Sequence, residues 1–160
     1  MRSRWQLTLK RKEKAPAGGR HMAKITRREA REAVFKMAFE YDFDRERDVM
    51  ELYGTALAER ELVDDKYMRS VFFGIAEKLP ELDALIEENA KGWKKERISK
   101  VATAILRLAI YEMLYTEIPY TIAINEALEI SKIYDDDGAK AFINGILNSV
   151  AVEKGLKDQV

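Results

Sequence analysis

The stretch ISKVATAILRLAIYEMLY, Ile98 to Tyr115, decides the fold. Val101, Ala102, Ala104, Ile105, Leu106, Leu108, Ala109, Ile110, Met113 and Leu114 leave only a narrow polar strip through Lys100, Thr103 and Arg107. A helix that is apolar almost all the way round cannot lie on a surface, so it belongs at the centre of a domain with other helices packed about it.

The flanking sequence supplies those helices at a 3.6-residue period. Thr26 and Glu29 read as a capping box, with Ile25 as its hydrophobic staple. Ala30, Ala33, Val34, Met37, Ala38 and Tyr41 then form one stripe, which ends at Asp42-Phe43-Asp44. Val49, Leu52, Tyr53, Ala56 and Leu57 mark a second helix. Asp64-Asp65 caps a third through Met68, Val71, Phe72, Ile75 and Leu79. Pro80 opens a short fourth, closed by Gly92. After the central fifth helix, Pro119 opens a sixth to about Tyr134. Asp135-Asp136-Asp137-Gly138 turns the chain into a seventh, from about Ala139 to Lys154, with Gly155 as its stop. The pattern predicts an all-α protein of seven helices, with one subdomain over 22–96, a second over 97–155 and a tail at 156–160.

Composition narrows the chemistry. The 160 residues hold no cysteine, which excludes disulfides, thiolate metal sites and cysteine nucleophiles, and suits an intracellular, cytoplasmic protein. A single histidine, His21, leaves no Ser–His triad or multi-histidine metal centre unless it takes part itself. No apolar run approaches the roughly 20 residues of a membrane span. The formal charge of zero hides a split, because residues 1–21 carry +6 and residues 22–160 carry −6. The basic leader ends in Pro16-Ala17-Gly18-Gly19 and lacks the apolar core of a signal peptide. It reads either as a nucleic-acid arm or, preferably, as a disordered, non-native segment. Gly18-Gly19 is what an in-frame ribosome-binding site encodes, and His21-Met22 matches a common cloning junction. Met22 is then the expected start.

Few residues offer themselves for a site. Arg27, Arg28 and Arg31 crowd the first turns of the first helix, where the macrodipole favours acids by roughly 0.3–1 kcal/mol per charge. Arg27 and Arg31, one turn apart, could grip a phosphate together, or could simply be solvated. Phe35 and Phe39 flank the core stripe, either at a lobe interface or as an exposed partner anchor. Phe142, at the start of the last helix, is either a base-stacking ring or a core residue, and Gly145 after it allows a close approach. Glu126 sits in an apolar helix without the second group that acid–base catalysis requires, so pairing, for example with Arg107, is expected instead. The three aspartates at 135–137 lack the spacing of a calcium loop and are expected to favour the next helix N-terminus. No catalytic residue, metal or cofactor is expected.

These segments together resemble the NusB family of bacterial transcription antitermination factors. Arg27-Arg28-Glu29-Ala30-Arg31-Glu32-Ala33-Val34 is similar to the family's opening, and Ala104-Ile105-Leu106-Arg107-Leu108-Ala109-Ile110-Tyr111-Glu112 to its central helix. Ile118-Pro119-Tyr120, Ala123-Ile124-Asn125-Glu126-Ala127 and Phe142-Ile143-Asn144-Gly145-Ile146-Leu147 are similar to its last two helices. The resemblance spans about residues 22–155. The chain departs from the family pattern at Glu29, at Ala102-Thr103, at Gly138-Ala139 and at Asn148.

The resemblance implies two helical subdomains and no catalysis. It implies that the protein pairs with the ribosomal protein NusE, that the pair binds the boxA element of nascent RNA, and that it acts with RNA polymerase in an antitermination complex on ribosomal RNA operons. It places Arg27, Arg28, Arg31 and Phe142 at the RNA, and Phe39 and Glu96, with Phe35 beside them, at NusE. Relatives can also self-associate as homodimers. An acidic domain cannot draw RNA by its net field, so weak binding alone and stronger binding with a basic partner are expected. Phe142→Ala is expected to weaken boxA binding without unfolding the chain. The alternative is the NusB-like domain of an RNA cytosine methyltransferase, for which the chain is expected to be too short.

Overall fold

The computed structural model describes residues 24–158, so the leader, His21 and Met22 lie outside the described residues. Seven α-helices form among them: α1 (Arg27–Phe43), α2 (Val49–Glu59), α3 (Lys66–Glu77), α4 (Leu79–Asn89), α5 (Lys100–Tyr115), α6 (Tyr120–Tyr134) and α7 (Ala139–Glu153). Two single 3-10 turns, Lys95–Arg97 and Leu156–Asp158, were not signalled by periodicity, which a three-residue element is too short to express. No helix among the described residues is long and apolar enough to cross a membrane.

Side chains start four of the helices. Thr26 Oγ1 accepts the Glu29 amide at 3.1 Å, Asp48 that of Glu51 at 3.1 Å, Asp65 that of Met68 at 2.9 Å and Ser99 that of Ala102 at 2.9 Å. Pro80 stands in the first turn of α4 as expected. The aspartates before α7 do not cap it. Asp135 instead accepts a hydrogen bond from the Ser99 hydroxyl at 2.9 Å and tethers the α6–α7 turn to the start of α5.

Helix α5 is central, packed against α1, α3, α4, α6 and α7. Ala102, Leu106 and Ile110 have no exposure, and one contiguous apolar core runs from Ala30 to Ala151. The expected subdomain boundary near residue 97 therefore lies just before a helix that touches α1, α3 and α4 on one side and α6 and α7 on the other.

The polar strip expected on α5 is solvated at Lys100 but not at Arg107. Arg107 is buried, its Nε 2.7 Å from Asp83 and its Nη1 3.1 Å from Asp42. It does not reach Glu126. Position 107 faces α4 and the end of α1, whereas Glu112, about 140° further round the helix, faces the start of α1, where Glu126 also lies. Burial works against the charge of Asp42. The hydrogen bond from Arg45 and the Arg107 and Lys100 charges outweigh it and hold the carboxyl below the usual aspartate range. A carboxyl with a depressed folded pKa stabilises the fold above its unfolded pKa, near 3.8, and loses that contribution as pH falls through the folded value. Urea unfolding from pH 6 to 3 is expected to show stability falling below about pH 4. Asp42→Asn is expected to flatten that decline, and an unchanged slope would show that other carboxylates control it.

Candidate nucleic-acid interface

The capped start of α1 places its three arginines in different environments. Arg27 is exposed, with its guanidinium carbon 4.2 Å from the centre of the Tyr67 ring, a cation–π contact. It has no carboxylate partner among the described residues. Arg28 is also exposed, and its fork donates to both oxygens of Glu126, at 2.9 and 3.1 Å. That pair raises the Arg28 pKa. Arg31 is buried. It donates to both oxygens of Glu112, which is also buried, at 2.9 to 3.1 Å, and Glu126 lies 3.7 Å away. Burial disfavours the Arg31 cation, but the Glu112 carboxylate outweighs it and raises its pKa. Burial, and then Glu112, drive the Tyr67 phenol far above its ordinary value.

Arg31 therefore departs from the expected phosphate grip, because it is buried and its Nε and Nη2 are held by Glu112 inside the protein. Glu126 pairs as expected, but with α1 and not with Arg107. Glu32, next to Arg31 on α1, accepts a hydrogen bond from the Tyr134 hydroxyl.

The aromatic candidates are corrected by burial. Phe35 is 0% and Phe39 1% exposed, so neither can be an exposed anchor for a partner. Phe35 lies 5.0 Å from the Tyr134 ring of α6 and Phe39 5.0 Å from Phe43, which is the interior position left open by the sequence. The reason is the placement of α1, whose neighbours α2, α3, α5 and α6 cover both flanks of its apolar stripe. Phe142 is also in the core, at 7% exposure. Glu96 stands exposed in the 3-10 turn before α5.

Sequence reasoning passed over Trp93. The residue is 44% exposed, and its ring lies 6.0 Å from that of Phe142, tilted by 57°. Its indole also rests beside Gly145, where an added methyl would meet it at 3.4 Å, an ordinary contact. The close approach expected at Gly145 is thus made by this ring, although space does not require the glycine. The signal was legible as an aromatic residue inside the basic run Lys91-Gly92-Trp93-Lys94-Lys95-Glu96-Arg97.

The NusB family model matches residues 28–152. The transcription antitermination protein NusB of Ruminiclostridium cellulolyticum is 39% identical over 78% of this chain and 88% of its own length. Among solved structures, NusB of T. maritima aligns with a TM-score of 0.72 at 36% identity, covering 85% of this chain and 99% of that one. A structure of the antitermination factors NusB and NusE in complex with double-stranded RNA aligns at 0.69 and 22% identity, over 79% of this chain and 96% of that one. At that identity the likeness speaks for the fold.

Proposed function

The chain belongs to the NusB family, and from that premise we propose that it is a transcription antitermination factor that binds boxA RNA together with the ribosomal protein NusE and promotes processive transcription of ribosomal RNA operons. The observation that carries this reading is the 39% identity to a protein of that activity over 88% of the relative's length. The same coverage favours antitermination over the methyltransferase reading. In this proposal the protein acts in the cytoplasm, within the RNA polymerase antitermination complex, without catalysis or a cofactor.

The proposed division of labour follows the charges. Arg27 has no carboxylate to give up and meets a phosphate directly. Arg28 exchanges Glu126 for phosphate, which is cheap because a solvent-screened surface pair contributes little. Arg31 stays beneath them as a support. The subdomain at 22–96 brings these arginines and Glu96, and the subdomain at 97–155 completes the surface. With a net charge of −6 over residues 22–160, few phosphates are engaged and the basic partner supplies the remaining attraction.

Titration of fluorescent boxA RNA at several salt concentrations, with and without NusE, tests this. Weak binding alone and at least tenfold tighter binding with NusE are expected. With two or three phosphate contacts on a single strand, the log–log salt slope of the protein alone should be only about −1.5 to −2. Affinity that is unchanged by NusE would sink the cooperative reading.

A further inference from the structure

We propose that Trp93, flanked in the chain by the exposed Lys91, Lys94 and Lys95, is a stacking platform for an unpaired base of single-stranded RNA, and that it rather than Phe142 is the ring RNA meets at this end of the protein. The proposal rests on the RNA-binding reading above and names a contact within it.

Three observations converge on this loop. The first is the ring itself. Gly92 takes a positive φ of 93°, and the Trp93 amide donates to the Ala90 carbonyl at 2.9 Å, a turn that carries the indole out of the end of α4. Phe142 and Gly145 of α7 lie against the indole, and 44% of the residue is open to solvent. A base can stack on a ring already held in place at little ordering cost.

The second is the state of the cations. Arg28, Arg31, Arg45, Arg60, Arg69 and Arg107 are all committed to carboxylates. Lys91, Lys94, Lys95 and Arg97 are all exposed, and none has an ion-pair partner among the described residues. In a domain that is acidic overall, four uncommitted cations within seven residues, with only Glu96 among them, make a local anion site. An exposed aromatic face beside free cations is the combination that holds single strands, the cations tracking phosphates while the ring takes a base.

The third is Phe142. Its position in the core, at 7% exposure, leaves little of it to a ligand, whereas Trp93 beside it is 44% exposed. Duplex RNA offers no unpaired base to such a platform, so the occupant is a single strand.

The test uses the full chain carrying Trp5→Phe, so that Trp93 is the sole tryptophan. A single-stranded boxA oligonucleotide, and the same sequence as a duplex, are titrated in the presence of NusE. Quenching of Trp93 emission by the single strand and not by the duplex is expected. Trp93→Ala, made in the natural background, is expected to weaken binding about tenfold and Trp93→Phe no more than about threefold. Lys94→Ala with Lys95→Ala should make the salt slope shallower by about 1. Unchanged emission together with full affinity of Trp93→Ala overturns the platform while leaving the RNA-binding function standing. A Trp93→Ala variant that loses NusE and keeps RNA makes this a protein interface and overturns it as well. Failure of the unsubstituted chain to bind boxA with NusE brings down both readings.

Discussion

Glu112→Ala is expected to cost about 3–5 kcal/mol of folding stability. Glu112 is 1% and Arg31 5% exposed, and three hydrogen bonds of 2.9 to 3.1 Å join them. Removing the carboxylate leaves a guanidinium inside the protein with only Glu126, at 3.7 Å and already shared with Arg28, as its counter-charge. Most of the loss is the cost of that uncompensated cation and not the net contribution of the pair. The double substitution Glu112→Met with Arg31→Met should therefore recover much of it, since an apolar pair of similar volume needs no desolvation to be repaid. Urea unfolding of the two variants decides the matter. A loss below about 1 kcal/mol for Glu112→Ala would mean that the pair is hydrated in solution.

Phe142→Ala is expected to lose about 3 kcal/mol, which for a chain of this size lowers the melting temperature by roughly 10 °C. The sequence alone suggested that this variant would lose RNA and keep its stability, and burial reverses the order. Truncation empties a core position and takes away the support under Trp93. RNA affinity then falls as a consequence of the lost packing. Phe142→Leu, which keeps most of the volume, should restore most of the melting temperature, read by circular dichroism. A Phe142→Ala variant that melts as the parent does, yet fails to bind boxA, would restore direct contact by Phe142.

Both predictions turn on contacts that no local pattern contains. Arg31 and Glu112 are 81 residues apart, and Arg28 and Glu126 are 98 apart. Periodicity identifies the face on which a residue lies but not what stands opposite that face. For Phe35 and Phe39 the sequence left a buried interface and an exposed anchor both open, and only the helices packed on both flanks of α1 decided for burial. Trp93 is the converse case. Its basic neighbours could be read directly, but a lone tryptophan is more often core than surface, and only the turn at Gly92 carries it outward.

What the amino-acid sequence determined by itself was everything set by short-range physics. The caps at Thr26 and Asp65, the starts at Pro80 and Pro119, and the apolar character of residues 101–114 that calls for a central helix all follow from residues within a turn or two of one another. The family motifs were equally legible because they run contiguously along single helices. The tertiary structure decided which charges are free and which rings are wet. Arg27, Lys94 and Lys95 remain available because no carboxylate among the described residues pairs with them, and Arg31 does not, because Glu112 does. A binding surface consists of groups left uncommitted by folding, and commitment depends on neighbours that the chain brings together only when its helices pack.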